Sequence, residues 1–286
     1  MKICDILNKQ EKGVSFEFFP PKGEKGKPAL AQTIKVLKEY HPLYVSMTYG
    51  AGGTTQARTL EAVKMLIEEG NLEVMPHLTC IGAKADTVRL LLEGYEKQGL
   101  ENIMALRGDL SQGTDNFDSS QRDFSYAIDL VSIIKNYGRF SIGVAVYPEG
   151  HIETHSLELD MEYTKRKIDA GADFAVTQMF FDNSFYYSFM ERIKKNKIDI
   201  PILPGILPLT DVEKIKQFAA VCRATIPARI REKMEGLRDN PDEMEKVGID
   251  FTIQQCIDLI AHGFKKLHFF TLNKPKIITA ILDALP

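Results

Sequence analysis

The sequence predicts an α/β fold in which eight parallel strands, each followed by a helix, close into one barrel. Short runs rich in β-forming residues begin at Val14, Tyr44, Val74 and Ile103, so that their starts are 30, 30 and 29 residues apart. Four more runs of this kind begin at Ser141, Phe174, Ile200 and Leu267. The runs are almost continuously apolar, which is typical of a parallel sheet covered by helices.

Segments with helical periodicity lie between the predicted strands. In one of them the apolar residues of 57–67 fall on one face, with Thr55 as the candidate N-cap and Gly70 as the candidate stop. Comparable patterns cover residues 88–95, 124–134, 157–168 and 212–219, the last with Asp211 as its cap. Regular alternation of strand and helix therefore extends through most of the chain.

Eight repeats within 286 residues favour a closed (β/α)8 or TIM barrel over an open doubly wound sheet. The one irregular interval, residues 219–266, separates the seventh and eighth strands and contains IPARIREKMEG and FTIQQCIDLIAHG. We interpret these as one added helix and the ordinary helix, so that residues 226–248 form an added segment that could cover the barrel mouth or contact another subunit. No linker-like stretch interrupts the chain, which predicts a single domain over residues 1–286.

Composition excludes several classes of protein. The formal net charge is −3 with both signs interspersed, which disfavours nucleic-acid and anionic-membrane partners. The N-terminal MKICDILNKQEKG lacks the apolar run of a signal peptide, and no window approaches the length of a membrane span. The four cysteines are scattered without paired spacing, as in proteins of a reducing compartment. We therefore expect a cytoplasmic protein.

Polar residues stand where nearly every predicted strand ends. They are Glu17, Thr48, Tyr49, His77, Arg107, Asp109, Tyr147, Glu149, Gln178, Thr271 and Asn273. The carboxyl ends of barrel strands and the loops after them form one face, where the catalytic groups of such folds converge. Polar groups from seven strands at one mouth predict a large polar ligand.

Glu17 is unusual because it lies inside VSFEFF, among three phenylalanines. Burying an unpaired carboxylate costs several kcal/mol or makes the group hold its proton. From the sequence alone Glu17 is either exposed to solvent by strand alternation or a buried acid, because the phase of the pleat is not known.

Other motifs carry both functional and structural interpretations. His77 fits two interpretations, a site residue or a histidine packed in the core. Arg166 and Lys167 also fit two: they either lie on a solvent-exposed helix face or neutralise the charge of a bound diphosphate. His151 and His155 have the spacing of metal ligands on a helix, but they follow a predicted loop and lack a third ligand, so we assign no metal. YGAGGTT is a glycine-rich turn before a helix without the GxGxxG pattern, so a Rossmann site is not supported.

Eight blocks of the chain, in order, resemble the bacterial flavoprotein form of the methylenetetrahydrofolate reductase family. The blocks are SFEFFPPK, VSMTYGAGG, PHLTCIG, ALRGD, VAVYPEGH, KRKIDAGADFAVTQMFFD, LPGILP and FFTLNK. The resemblance implies a TIM barrel that binds FAD at its C-terminal mouth, uses NADH or NADPH as co-substrate and takes small-molecule substrates. It also implies a homo-oligomer.

Carried over by motif, the resemblance assigns a role to individual residues. The flavin would be held by Thr48, His77, Arg107, Asp109, Ala145, Tyr147, His151, Asp160, Arg166 and Lys167. The catalytic residues would be Glu17, Asp109 and Gln178, and the substrate would be bound by Glu17, Gln178 and Lys274. Three positions depart from the pattern of some members: Val212 stands where they have an aromatic residue, Phe270 where they have a tyrosine and Lys274 where they have an arginine. The resemblance therefore does not assign the residues that bind the nicotinamide.

The implied reaction reduces 5,10-methylenetetrahydrofolate to 5-methyltetrahydrofolate by ping-pong hydride transfer from NAD(P)H through the flavin. Opening of the imidazolidine ring to an iminium needs a proton on the leaving nitrogen, which assigns Glu17 as general acid. We expect Phe16, Phe18 and Phe19 to form an apolar collar that raises the pKa of Glu17. Asp109 would stabilise the iminium charge, and Gln178 would orient the pterin.

Three alternatives remain open from the sequence. One is another flavin-dependent barrel such as a proline dehydrogenase-like enzyme. Another is a metal-dependent hydrolase with His77, Asp109 and Glu17 as ligands. The third is the same folate chemistry in a subunit of a larger redox complex, fed with electrons by a partner protein.

Overall fold

The computed structural model describes residues 1–49, 53–108 and 123–286 of the chain. Its strands are β1 (Gly13–Phe18), β2 (Val45–Met47), β3 (Val74–Thr79), β4 (Asn102–Leu106), β5 (Ser141–Val146), β6 (Phe174–Thr177), β7 (Ile202–Leu203), β8 (Gly205–Ile206) and β9 (Lys266–Phe270). Its helices are α1 (Ile3–Lys9), α2 (Lys27–Leu37), α3 (Gly53–Gly70), α4 (Ala85–Lys97), α5 (Ala127–Tyr137), α6 (Leu157–Asp169), α7 (Asn183–Lys195), α8 (Val212–Cys222), α9 (Ala228–Glu235), α10 (Pro241–Ala261) and α11 (Pro275–Leu282). Each of the eight predicted strand runs is present.

All strand pairs are parallel, and the order β7-β6-β5-β4-β3-β2-β1-β9-β8 closes the sheet on itself. The sheet has nine strands rather than eight because Pro204 separates β7 from β8 within one run. A proline has no N–H to donate to a neighbouring strand, so the ladder is interrupted there. β7 pairs with β6 and β8 pairs with β9, so this one run joins the two edges of the sheet. The barrel class is confirmed.

The two faces of the sheet have different side chains, as the two-residue strand period requires. The outward residues pack against the helices in one large core, which includes Phe16, Phe18, Val45, Met47, Val74, Leu78, Ile103, Ala105, Ile142, Val144, Ala175, Leu267 and Phe269. A second cluster fills the inside of the barrel with Tyr44, Met75, Met104, Phe174, Val176 and Leu203. The inward positions nearer the carboxyl ends carry polar groups instead.

Helix α1 lies at the amino-terminal end of the barrel, in a segment whose pattern predicts no helix or strand. Ile3 and Leu7 are fully buried in the interior cluster. The Ile3 N–H donates to Asn102 Oδ1 (2.7 Å), and Lys266 Nζ donates to the Leu7 carbonyl (2.6 Å). Because Asn102 and Lys266 are the first residues of their strands, α1 closes the end of the barrel opposite the mouth.

The added segment, residues 226–248, forms α9 and the first part of α10. Helix α10 begins at Pro241 after an Asn240 N-cap and runs for 21 residues, so the ordinary helix is longer than predicted. These helices share a core with Leu207 and Leu209, which follow β8, and with Met179 and Phe181, which follow β6. The added segment therefore packs beside the mouth rather than at the closed end.

The ends of most predicted helices agree with the structure. Asp211 caps α8 by accepting from the Lys214 N–H (3.1 Å), and α3 ends at Gly70 as predicted. Helix α3 begins at Gly53, before the predicted cap Thr55. Within the described ranges, none of the helices combines the length and apolarity that crossing a bilayer requires.

Candidate active site

Glu17 points into the barrel near the mouth. Its side chain is 11% exposed, and its Oε2 lies 3.5 Å from His77 Nε2 on β3 and 3.9 Å from His268 Nε2 on β9. Strand β2 lies between β1 and β3, so the contact with His77 crosses the interior of the barrel. The buried-acid interpretation is supported, and the solvent-facing one is wrong.

The predicted apolar collar around Glu17 is wrong in its members. Phe16 and Phe18 alternate with Glu17 along β1, so they lie on the outer face and pack with the helices. Phe16, for example, contacts the Phe269 ring at a centroid distance of 6.4 Å. Phe19 follows the strand and is 40% exposed. The side chains that flank the Glu17 carboxyl are imidazoles.

His77 is held in its neutral form. Burial lowers the pKa of His77, the nearby Glu17 carboxyl opposes this shift, and His268 adds to it. Its Nε2 atom is buried and has no hydrogen-bond partner among the residues that the structure describes. A buried polar atom of this kind at a barrel mouth is a candidate contact for a bound group.

Arg107 follows β4 and forms a bidentate ion pair with Glu153 in the loop after β5. The two guanidinium nitrogens donate to the Glu153 carboxylate at 2.5 and 2.6 Å. These hydrogen bonds are the main reason that the pKa of Glu153 is lowered. Glu153 was not identified from the sequence, because nothing in the pattern pairs it with a residue 46 positions earlier.

Lys167 reaches from α6 to the carboxyl end of β5. Its Nζ donates to the carbonyl of Ala145 and lies 5.5 Å from the centre of the Tyr147 ring. Burial lowers the pKa of Lys167 to about 8, with the Asp160 carboxylate acting in the opposite direction. This ammonium is therefore near its titration point and would gain from a nearby anion.

Tyr147, His151 and Asp160 connect this lysine to the loop after β5. The Tyr147 and His151 rings meet edge to face at 4.8 Å. Asp160 is buried and accepts from the His151 N–H at 2.9 Å, which fixes the start of the loop. The pKa of His151 is lowered by burial and, to a smaller extent, by Arg107. The structure thus brings six of the predicted cofactor residues together, namely Arg107, Ala145, Tyr147, His151, Asp160 and Lys167.

Arg166 lies on a different face of α6 from Lys167, since successive helical residues are rotated by about 100°. Its side chain is 57% exposed, pairs with Glu162 and lies over the Tyr163 ring. It therefore does not share the contacts of Lys167 with Ala145 and Tyr147.

The other predicted site residues occupy different positions at the mouth. The Thr48 N–H donates to the Phe18 carbonyl (2.9 Å), and Gln178 Oε1 accepts from the Met179 N–H (2.9 Å). Lys274 is exposed at the N-cap of α11. Asp109 lies outside the described residues.

The two departures from the family pattern have clear locations. Val212 is 1% exposed in the core beside the mouth, so its side chain is a packing residue. Phe270 contacts His268 edge to face at 5.5 Å. The ring also lies 2.8 Å from where a Cβ on Gly205 would be, so the glycine makes room for it.

His268 is the buried functional candidate that sequence reasoning missed. It is 0% exposed and lies on the inward face of β9, two residues before Phe270. The alternation in LHFFTL would have placed it inside the barrel had the pleat phase been known. In the described part of the chain, no group of three or more His, Cys, Asp or Glu side chains is arranged to hold a metal ion.

A barrel with ionisable and hydrogen-bonding groups gathered at its carboxyl-end mouth defines a candidate enzyme of the TIM-barrel class. A sequence model of the methylenetetrahydrofolate reductase family matches residues 2–286. The chain is 39% identical over 272 residues to the 5,10-methylenetetrahydrofolate reductase of Escherichia coli (strain K12), covering 95% of this chain and 90% of that protein. It is 36% identical over 292 residues to the Arabidopsis thaliana protein named methylenetetrahydrofolate reductase (NADH) 1, covering 98% of this chain and 49% of that protein.

The chain belongs to the methylenetetrahydrofolate reductase family and is an oxidoreductase of that class. It spans about half the length of the plant relative and about nine-tenths of the bacterial one. A solved structure titled as an uncharacterized protein from Clostridium thermocellum that binds two copies of 5-methyl-5,6,7,8-tetrahydrofolic acid has a TM-score of 0.68. That match has 14% identity and covers 98% of this chain and 96% of the other, so it supports the fold alone.

Proposed function

We propose that the chain reduces 5,10-methylenetetrahydrofolate to 5-methyltetrahydrofolate with NAD(P)H as donor and FAD bound at the barrel mouth. The observation that carries this proposal is the position of Glu17, a buried carboxyl at the mouth with a neutral imidazole 3.5 Å away. Family membership supplies the substrate class. We also propose, from the family, that residues 1–286 act as one catalytic domain in a cytoplasmic homo-oligomer.

The residues at the mouth fit a flavin dinucleotide. His77 Nε2 is a buried polar atom without a hydrogen-bond partner in the described residues, and Lys167 is a partly buried cation with a lowered pKa. We assign cofactor binding to Thr48, His77, Arg107, Asp109, Ala145, Tyr147, His151, Asp160, Arg166 and Lys167. Of the cations, Lys167 has the position best suited to a diphosphate, because anion binding would offset its burial. When bound, the flavin supplies a carrier that takes hydride from NAD(P)H and releases it to the folate.

Glu17 is assigned as the general acid. A protonated carboxyl at this position can donate to the leaving nitrogen of the substrate and open the imidazolidine ring to an iminium. The carboxyl is held by the closed barrel and is mostly shielded from water. Such shielding keeps the proton transfer between Glu17 and the substrate rather than with solvent.

The reaction balances with one proton and one hydride. The substrate gains a proton on the leaving nitrogen from Glu17 and a hydride on the methylene carbon, while NAD(P)H loses the hydride. Glu17 recovers its proton from solvent after each turnover. Gln178 is assigned to orient the pterin through its Nε2 group, since its Oε1 already accepts from Met179. Asp109 is assigned to stabilise the iminium charge, and Lys274 to contact substrate.

The electron donor is tested directly by anaerobic reduction. We expect NADH or NADPH to bleach the flavin absorbance and methylenetetrahydrofolate to restore it. A protein whose flavin is reduced by either donor but is never reoxidised by the folate would contradict the proposal. Asp109→Asn is expected to change the flavin midpoint potential and slow the folate step.

A second candidate is the same folate chemistry fed by a partner protein. The burial of Val212 favours it, because a packed valine offers no side chain to a nicotinamide ring. In this case neither NADH nor NADPH would bleach the isolated flavin, whereas dithionite-reduced protein would still be reoxidised by methylenetetrahydrofolate.

A further inference from the structure

The loop after β5, residues 147–156, carries side chains that meet at the barrel mouth. Tyr147 and His151 contact each other edge to face at 4.8 Å, and Glu153 forms the bidentate ion pair with Arg107. These loop residues all belong to the described part of the chain, and they form turns rather than helix or strand. Their conformation therefore depends on hydrogen bonds with neighbouring elements.

Arg223, the residue after α8, binds this loop at two points. Its Nη1 donates to the carbonyl oxygen of Thr154 at 2.9 Å and to that of His151 at 3.3 Å. The His151 carbonyl also accepts from the Thr154 N–H at 3.0 Å, so the arginine binds the same turn that this backbone hydrogen bond closes. A guanidinium is always charged, which makes its hydrogen bonds stronger than those between neutral groups.

A second contact joins the same two segments in the opposite direction. The Glu149 carboxylate, near the start of the loop, accepts from the Thr225 N–H, with both of its oxygens at 3.0 Å from the nitrogen. Here a side chain of the loop binds the backbone of the segment after α8, whereas Arg223 binds the backbone of the loop. Residues 149–154 and 223–225 are thus linked by side chains from both segments.

The segment after α8 is itself anchored. Residues 223–227 connect α8 to α9, and we call them the α8–α9 connector. Arg223 and Thr225 are exposed, while the residues that alternate with them pack against the core beside the mouth. These packed residues are Cys222, Ala224 and Ile226. The connector is therefore supported by the core that α8, α9 and α10 share, and it leads directly into the added segment.

We propose that Arg223 is a positioning residue that holds the loop after β5 in its flavin-binding conformation. The added segment, residues 226–248, supports the cofactor site through it. The shared core fixes the α8–α9 connector, and the connector fixes the loop that carries Tyr147, His151 and Glu153. This inference rests on the proposed binding of FAD at the mouth.

The loop has other anchors, so loss of the Arg223 side chain should loosen it without unfolding the protein. Arg192 on α7 donates to the Pro148 carbonyl at 2.9 Å, and Asp160 on α6 accepts from the His151 N–H. A loop without Arg223 should open more often and still be able to close. Flavin would bind the closed fraction, so its apparent dissociation constant rises as that fraction falls.

The first test measures the loop directly, by amide hydrogen exchange with mass spectrometry at matched flavin content. In Arg223→Met, peptides from residues 147–156 should exchange about tenfold faster than in the wild type, close to the rate of an unstructured chain. Peptides from β6 and α7 should exchange as in the wild type, because the lost contacts are local. Arg223→Lys keeps a cationic donor and should recover part of the protection. This measurement does not depend on turnover.

The second test measures the affinity for FAD by quenching of its fluorescence. Arg223→Met should raise the dissociation constant about fivefold, because the loop is then open for most of the time. Saturating FAD should restore the exchange protection of the loop in this variant, since a ligand that binds the closed form also stabilises it. A residue with only a structural role would not show this recovery. Arg223→Lys should again give an intermediate value.

The matched control is Arg238→Met, because Arg238 is an exposed arginine between α9 and α10 that pairs with Glu213. It should leave both the loop exchange and the FAD affinity at their wild-type values. Wild-type loop exchange in Arg223→Met would overturn the proposal, and so would faster exchange with unchanged FAD affinity. A wild-type protein that binds no FAD would overturn the proposed function and the flavin-binding role of the loop, whereas the exchange result would still show whether Arg223 holds it.

Discussion

Glu17 Oε2 on β1 lies 3.5 Å from Nε2 of His77 on β3, although β2 separates the two strands in the sheet. The contact exists because the closed barrel turns inward-facing residues of non-neighbouring strands toward one another. Both side chains are buried, and no aromatic collar is needed to place the carboxyl away from water. The position of the Glu17 carboxyl beside His77 therefore follows from the pleat phase of the strands and from closure of the barrel.

We expect the folded protein to lose stability in acid because of the neutral side chain of His77. Its pKa is lowered in the folded state, so below about pH 6.5 the unfolded chain binds a proton that the folded chain does not. Stability should then fall as the pH drops below that value, by at most about 1.4 kcal/mol per pH unit from this residue. Urea denaturation between pH 5 and 8 measures the slope, and His77→Gln should reduce it.

The control for this slope is His155→Gln, at an exposed histidine. It should leave the pH dependence of the unfolding free energy as in the wild type. If His77→Gln also leaves it unchanged, His77 is not buried in the neutral form.

We expect the affinity for FAD to depend on pH because of Lys167. Its pKa in the free protein is about 8, and a diphosphate beside it would favour the protonated form. FAD binding should therefore take up a proton above pH 8, and the affinity should fall about tenfold per pH unit there. Quenching of FAD fluorescence during titration measures the dissociation constant, and Lys167→Met should weaken binding and remove the pH dependence in this range.

Lys165→Met is the matched control, because Lys165 lies on the same helix but is exposed and paired with Asp169. Its affinity and pH profile should match those of the wild type. A wild-type affinity that is constant between pH 7 and 10 would argue against contact between Lys167 and the diphosphate.

Gly248 lies where α10 has no room for a larger side chain. A Cβ added there would lie 1.5 Å from the carbonyl oxygen of Leu209, which is backbone and cannot turn aside. Gly248→Ala should destabilise the protein by about 3 kcal/mol, as expected of overpacking. Gly94→Ala on α4, where a Cβ would meet nothing within 4 Å, should instead stabilise it by up to about 1 kcal/mol. Equal effects of the two variants on urea unfolding would show that α10 does not approach Leu209 so closely.

The periodic features of the fold could be predicted from the sequence. Strand runs recur at about 30-residue intervals, and the cap at Asp211 and the stop at Gly70 follow from local side-chain and backbone chemistry. Helix α1 could not be predicted in this way, because its two buried residues, Ile3 and Leu7, have no periodic repeat long enough to show. Its position depends on contacts with distant strand starts such as Asn102.

The candidate site could be predicted in its residues but not in its contacts. Glu17 and His77 were identified as strand-end polar groups, yet their proximity depends on a pleat phase that sequence does not reveal. Without the pleat phase, the sequence predicts that Phe16 and Phe18 surround Glu17, whereas in the structure they lie on the opposite face of β1. His268 was missed for the same reason, whereas the Arg107–Glu153 pair was missed because it joins segments far apart in the chain.

The most direct test of Glu17 as general acid is the anaerobic reoxidation of reduced flavin by methylenetetrahydrofolate in Glu17→Gln. Glutamine keeps the size and one oxygen of the side chain but cannot deliver the proton, so the rate should fall by about 10²- to 10⁴-fold. Flavin content and reduction by NAD(P)H or dithionite should remain close to wild type. Reoxidation at the wild-type rate, or equal loss of both half-reactions, would contradict the account.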